Sequence, residues 1–153
     1  MSNKKYVLIE TDTKEVEGKT LFRIKAKMSF GVVSKGELGG YIEKEANLSV
    51  YGNAWVSGDA WVYGNARVSG NAWVSGNARV YGNAWVSGNA GVSGDARVYG
   101  NAWVSGDAWV YGNAWVSIRA DITTRIDFEI PRIRIDSQKK LDTLMKVLNE
   151  LKE

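Results

Sequence analysis

From Tyr51 the chain repeats a six-residue unit almost without drift: YGNAWV, SGDAWV, YGNARV, SGNAWV, SGNARV, YGNAWV, SGNAGV, SGDARV, YGNAWV, SGDAWV, YGNAWV. Within each unit Ala and Val are fixed and the residue between them changes. That is an alternation of period two: Ala in, Trp or Arg out, Val in, Ser or Tyr out. Gly followed by Asn or Asp then supplies a corner, because these residues accept backbone conformations that others resist. Each hexad therefore predicts one very short strand and one turn. "EANLSV" (45–50) reads as a degenerate earlier copy. A unit this small cannot bury its own Ala and Val, so the units must stack.

The pattern resembles the hexapeptide-repeat proteins, in which three hexads complete one triangular coil of a left-handed parallel β-helix. The resemblance covers residues 45–117. It implies a mainly β fold of about four coils. More narrowly, "GELGGYI" (Gly36 to Ile42) and the short basic segment before it resemble the lead-in of small phage and prophage hexapeptide-repeat proteins, often labelled acetyltransferases from fold alone.

With three hexads per coil, residues eighteen apart stack at roughly 4.8 Å per rung, and the sequence becomes a map of three faces. One carries Ser49, Arg67, Trp85 and Trp103 beside Tyr51, Ser69, Ser87 and Ser105. The second carries Trp55, Trp73, Gly91 and Trp109. Gly91 leaves a blank between two indoles roughly 9–10 Å apart, read as a notch for a partner's side chain or a base, as repeat decay, or as the place where another segment crosses, with Phe128 or Pro131 as candidates. The third carries Trp61, Arg79, Arg97 and Trp115 beside Tyr63, Tyr81 and Tyr99. Guanidinium groups stack on indole and phenol rings, so the third face is expected to form an aromatic–arginine ladder. Asp95 is placed to offset the charge of Arg79 and Arg97. Trp, Tyr and Arg are enriched in binding hot spots. Seven tryptophans, all at one slot of the repeat, are more apolar surface than a monomer normally leaves wet.

The chain contains no histidine and no cysteine. It lacks the usual general base, the usual metal ligands and any thiol nucleophile. Hexapeptide-repeat acyltransferases typically use a histidine base between subunits, and the related carbonic anhydrases bind zinc through three histidines. The resemblance thus implies neither chemistry here. Asp59, Asp95 and Asp107 fill the corner slot that Asn fills elsewhere and read as interchangeable corner residues. "SGNAGVSGDA" is repeat, not a phosphate loop, for no strand-to-helix step or lysine follows it. No catalytic residue, metal or cofactor is expected. The net charge of +3 lies in the flanks, where both signs are mixed. That excludes a polybasic patch for DNA or membrane. No apolar run predicts a signal peptide or a membrane span, so a cytoplasmic protein is expected.

The flanks divide the chain into an N-terminal β cap (1–44), the repeat (45–117) and a C-terminal capping or oligomerisation segment (118–153). Lys4 to Glu10 and Thr20 to Lys27 read as a hairpin around "TKEVEG", since a solenoid end exposes apolar core and unpaired backbone. After Ser117 the repeat stops. "DITTRIDFEI" alternates like a one-sided strand, Pro131 breaks it, and "RIRID" reads as a further short strand. Asp136 or Ser137 can cap a helix over about 138–152. Its apolar face holds Leu141, Leu144, Met145, Leu148 and Leu151. The helix serves either as a lid on the last coil or, with Phe128, as a self-association surface. The resemblance to the hexapeptide-repeat proteins implies a homo-oligomer, a trimer before a dimer.

The leading expectation is a non-enzymatic binding protein working through its Trp/Tyr/Arg faces. The phage resemblance implies a host protein as partner and inhibition of a host defence system as purpose. Open alternatives are a nucleotide or small-molecule binder acting as a signal sponge at subunit interfaces, an acyltransferase with a base other than histidine, and a spacer without ligand.

Overall fold

In a computed structural model of the chain, residues 4–117, 121–122, 134–135 and 137–150 are described. Two long strands come first, β1 (Tyr6–Val16) and β2 (Lys19–Ala26), then β3 (Leu38–Ile42) and a single 3-10 turn at Glu45–Asn47. Eleven two-residue strands follow, one per hexad. β4 to β14 are Trp55–Val56, Trp61–Val62, Arg67–Val68, Trp73–Val74, Arg79–Val80, Trp85–Val86, Gly91–Val92, Arg97–Val98, Trp103–Val104, Trp109–Val110 and Trp115–Val116. β15 (Asp121–Ile122), β16 (Arg134–Ile135) and α1 (Gln138–Glu150) close the chain.

Every third repeat strand pairs in parallel with the one a full coil away, as Trp61 with Arg79 and Arg97 with Trp115. The result is a β-solenoid of four turns with three sheets. One sheet runs β4-β7-β10-β13, a second β6-β9-β12-β15, and the third β1-β2-β3-β5-β8-β11-β14-β16. The interior is the alternating Ala and Val of the hexads, all essentially without solvent contact. Burying one such valine contributes roughly 1.5–3 kcal/mol, and the small alanine side chain keeps each coil narrow.

The corners are hydrogen-bonded rung to rung as continuously as the strands. Asn89 N donates to the Gly106 carbonyl at 2.7 Å, and Ala90 N to Ser87 at 3.2 Å closes the turn. Gly88 shows why glycine is required there. Its φ is +63°, and an added Cβ would stand 2.8 Å from the Gly106 amide nitrogen. Outside each corner the asparagines form ladders: Asn65 Nδ2 donates to Asn83 at 3.2 Å, Asn71 to Asn89 at 3.1 Å and Asn89 on to Asp107 at 3.1 Å.

The N-terminal strands form the expected hairpin, but β1 runs into the segment expected as its turn and leaves only its last two residues to reverse the chain. The reversal is Glu17–Gly18, with φ of +50° and +73°, the two-residue turn whose twist matches a hairpin. The polar stretch before it stays extended because β2 pairs with it, across an irregularity between Ile9 and Thr13. The cap is built from side chains that satisfy the open first coil. The buried Lys5 ammonium donates to the carbonyls of Ala54 at 2.7 Å and Gly52 at 3.2 Å. Burial lowers its pKa to about 8. The Tyr6 hydroxyl donates to the Leu48 carbonyl at 2.7 Å. Arg23 is stacked on Tyr41 and bonded to Asp12, Tyr41 and the Gly39 carbonyl, which ties the hairpin to β3.

"EANLSV" is not in the expected register. Leu48 bridges Val68, and Tyr41 and Ile42 pair with Trp61 and Val62, all twenty residues apart rather than eighteen. Two residues are therefore extra in the first coil. They are absorbed around Val50 and Tyr51, and Tyr51 is 82% exposed. Asn47 turns inward, fully buried, and its amide donates to the carbonyls of Gly64 and Ala66.

At the other end, coiling outlasts the hexad code. Asp121–Ile122 pairs with Trp103–Val104, and Arg134–Ile135 with Trp115–Val116. Most of the strand expected over 121–130, Pro131 included, lies outside the described residues. The helix begins where expected. Ser137 caps it, its hydroxyl accepting from the Lys140 amide at 3.2 Å. Leu141 is buried, and Leu144 and Met145 pack against the core cluster that contains Ile135. Leu141, Leu144 and Met145, expected to serve either as a lid or for self-association, are thus placed against the chain's own last coil. Phe128, Leu151 and the side chain of Leu148 lie outside what is described.

Candidate functional site

Three outward columns follow from the register, and the fold treats each differently. On the sheet containing β5, β8, β11 and β14, the expected ladder is present. Tyr63, Tyr81 and Tyr99 stack with centroids 5.1 and 5.2 Å apart. Arg79 lies 4.3 Å from the Trp61 ring and Arg97 4.7 Å from Trp115. Tyr99 meets Trp115 edge-on at 6.5 Å. This column is not an open surface along its length. The hairpin extends the same sheet, and Leu21 with Val16 covers Tyr63, which is 4% exposed. Burial, with the Glu17 carboxylate adding to it, pushes the Tyr63 phenol up to about 12. Burial likewise raises Tyr81. Trp61, Arg79, Arg97 and Trp115 are half-buried. Asp95 belongs to a corner ladder, accepting from Asn77 at 3.2 Å.

On the sheet of β4, β7, β10 and β13, one slot takes three different fates. Trp55 has no solvent contact, held edge-on by Phe30 at 5.4 Å and Tyr6 at 6.5 Å. Trp73 is half-buried against the core. Gly91 is buried, and the space over it is not an open notch. The Trp109 indole leans across it, so that a Cβ on Gly91 would stand 3.2 Å from Trp109 Cε2 and 3.3 Å from Nε1. The chain fills the blank with its own next rung. Trp109 remains 49% exposed.

The third sheet carries the most open aromatic column. Trp85 and Trp103 stack at 5.3 Å with planes 7° apart. Arg67 lies 5.6 Å from the Trp85 ring. Trp85 and Trp103 are 41% and 39% exposed, and Arg67 is exposed as well. Beside this column the two-residue slip of the first coil opens a groove of about 760 Å³, bounded by Lys4, Glu45, Leu48, Tyr51, Arg67 and Trp85 among others. Glu45 grips Lys4 at 2.6 Å through both oxygens. Sequence reasoning placed Arg67, Trp85 and Trp103 on one face, but missed Lys4, Glu45 and the groove itself. The missing corner glycine of "EANLSV" was the available signal that this coil departs from the rest.

Among the described residues no helix is long and apolar enough to cross a membrane. Two of the three corner aspartates are used as the asparagines are. Asp95 and Asp107 accept in the ladders, and Asp59 lies 3.9 Å from Arg23.

A search of the curated proteins found no match. A family model described as the YdcK beta solenoid repeat matches residues 50–64, 60–76, 72–88 and 90–106. The stacked hexads that display the three columns are therefore similar to that repeat family, the same stretch in which the backbone forms a β-solenoid.

Proposed function

We propose that this chain is a non-enzymatic binding protein that docks a protein partner on its Arg67–Trp85–Trp103 column. One observation carries the reading: two stacked, two-fifths-exposed indoles and an arginine on consecutive rungs of a hydrogen-bonded parallel sheet. Exposed aromatic patches on so rigid a frame cost solubility and are kept where they bind. The pre-set geometry removes most of the side-chain ordering that docking otherwise costs. The resemblance to small phage hexapeptide-repeat proteins makes that partner a host cytoplasmic protein, with inhibition of a host defence system as the outcome. The absence of histidine and cysteine from the sequence supports binding rather than acyl transfer.

The test is capture from host lysate with the wild-type chain and with a Trp85→Ser/Trp103→Ser double variant. A protein retained by the first and lost by the second is expected. Identical captures would remove the reading.

A further inference from the structure

The outward column on the third sheet has a lower end and an upper end, and they differ. Below Arg67 the rungs are filled by Trp85 and Trp103. Above it, the register assigns the position to Asn47, twenty residues earlier, and Asn47 is turned into the core. The column therefore stops at a guanidinium, and the groove of about 760 Å³ begins there. On the neighbouring sheet the corresponding rung above Arg79 is occupied by an indole, with Trp61 4.3 Å from the Arg79 guanidinium. The same chemistry that seats Trp61 on Arg79 is thus available to a ring from outside.

The groove's polar groups decide what else such a ligand carries. Among the described residues no carboxylate is paired with Arg67, whereas Glu45 neutralises Lys4. Ser49 Oγ accepts from the Tyr51 amide at 3.1 Å, which leaves its proton to give. Ser69 lies beside Arg67 on the same wall. The groove thus offers donors and one uncompensated positive charge beside the half-buried Val50, with Leu48 and Val68 buried behind it. We propose that it binds a flat aromatic anion, its ring stacked against Arg67 and its anionic group held by the Arg67 guanidinium and the Ser69 hydroxyl. Planar charge-assisted pairing of this kind suits a carboxylate or a phosphate equally. The shared chemistry is an aromatic ring joined to an anion. This site shares Arg67 with the protein-docking column but extends into the groove beside it, so a small ligand needs only the top of the column.

Calorimetric titration of the full chain tests it, with adenosine 5′-monophosphate, phenyl phosphate and indole-3-acetate as anionic probes, and adenosine and inorganic phosphate as controls. At least one anionic probe is expected to bind saturably below roughly 1 mM, and the tightest of them distinguishes a nucleotide from an aryl phosphate or carboxylate. Arg67→Gln is expected to weaken that binding about tenfold or more, and Ser69→Ala to weaken it less. Trp109→Ala, on another sheet, is expected to leave it unchanged. Both groove positions face solvent at least in part, and matching thermal melts establish that each variant is folded. The inference is overturned if no anionic probe saturates, if Arg67→Gln binds as the wild type does, or if adenosine or inorganic phosphate alone binds as tightly as the anion bearing the ring.

Discussion

One repeat slot gives tryptophan opposite roles on different rungs. Trp55 is sealed beneath Phe30 and Tyr6, while Trp109 is half in solvent. The same substitution should therefore read differently: Trp55→Ala should cost about 3–5 kcal/mol through the cavity it leaves, and Trp109→Ala about 0.5 kcal/mol or less. Chemical denaturation of the two variants checks this. Gly91 is the seat of the Trp109 ring. Gly91→Ala should displace that exposed ring rather than the backbone, shifting Trp109 emission to the red while changing stability by about 0.5 kcal/mol at most. The same substitution in a Trp109→Phe background isolates the signal. Tyr63 supplies a pH dependence. Its folded-state pKa is raised from the ordinary 10 to about 12 by burial under the hairpin. Its contribution is whole below pH 10 and is lost as pH rises toward 12. An ultraviolet titration of tyrosinate alongside thermal melts should show stability falling across that window, and Tyr63→Phe should flatten the fall.

At the scale of the element, a hexad is two residues of strand and a corner that only glycine turns cheaply. Gly88→Ala combines a left-handed φ with a backbone atom 2.8 Å from the new Cβ. Gly18→Ala meets a similar φ of +73° with open space around it. The first should destabilise clearly more than the second, for which the conformational cost alone is about 1–2 kcal/mol; paired melting curves decide it. These corners were legible in the sequence because glycine recurs with an exact period beside a fixed Ala and Val. The β1–β2 turn was legible as a segment but not to the residue, because Glu17 takes the left-handed conformation although glutamate carries no turn signal. The polar run "TKEVE" is held as strand only by its pairing with β2. The two-residue slip of the first coil was equally hidden. Leu48 can fill either an alanine or a valine slot, and only the contact with Val68 selects the second.

For the whole molecule, the repeat fixes the faces but the caps decide which of them remain available. Stacking by eighteen correctly grouped Trp61 with Arg79, Arg97 and Trp115, and Arg67 with Trp85 and Trp103. It could not show that the hairpin would join the first group's sheet and bury Tyr63, nor that the inward turn of Asn47 would open a groove beside the second. Candidate sites thus shift from the tyrosine ladder to the indole pair. The direct measurement is the affinity of the captured partner for three forms of the chain: wild type, Trp103→Ala and Trp109→Ala. Trp109 is at least as exposed as Trp103 but stands on another sheet. Docking on the Arg67–Trp85–Trp103 column predicts a loss of about tenfold or more for Trp103→Ala, the range of a hot-spot residue, and no change for Trp109→Ala. Equal losses in both variants, or none in Trp103→Ala, would contradict it.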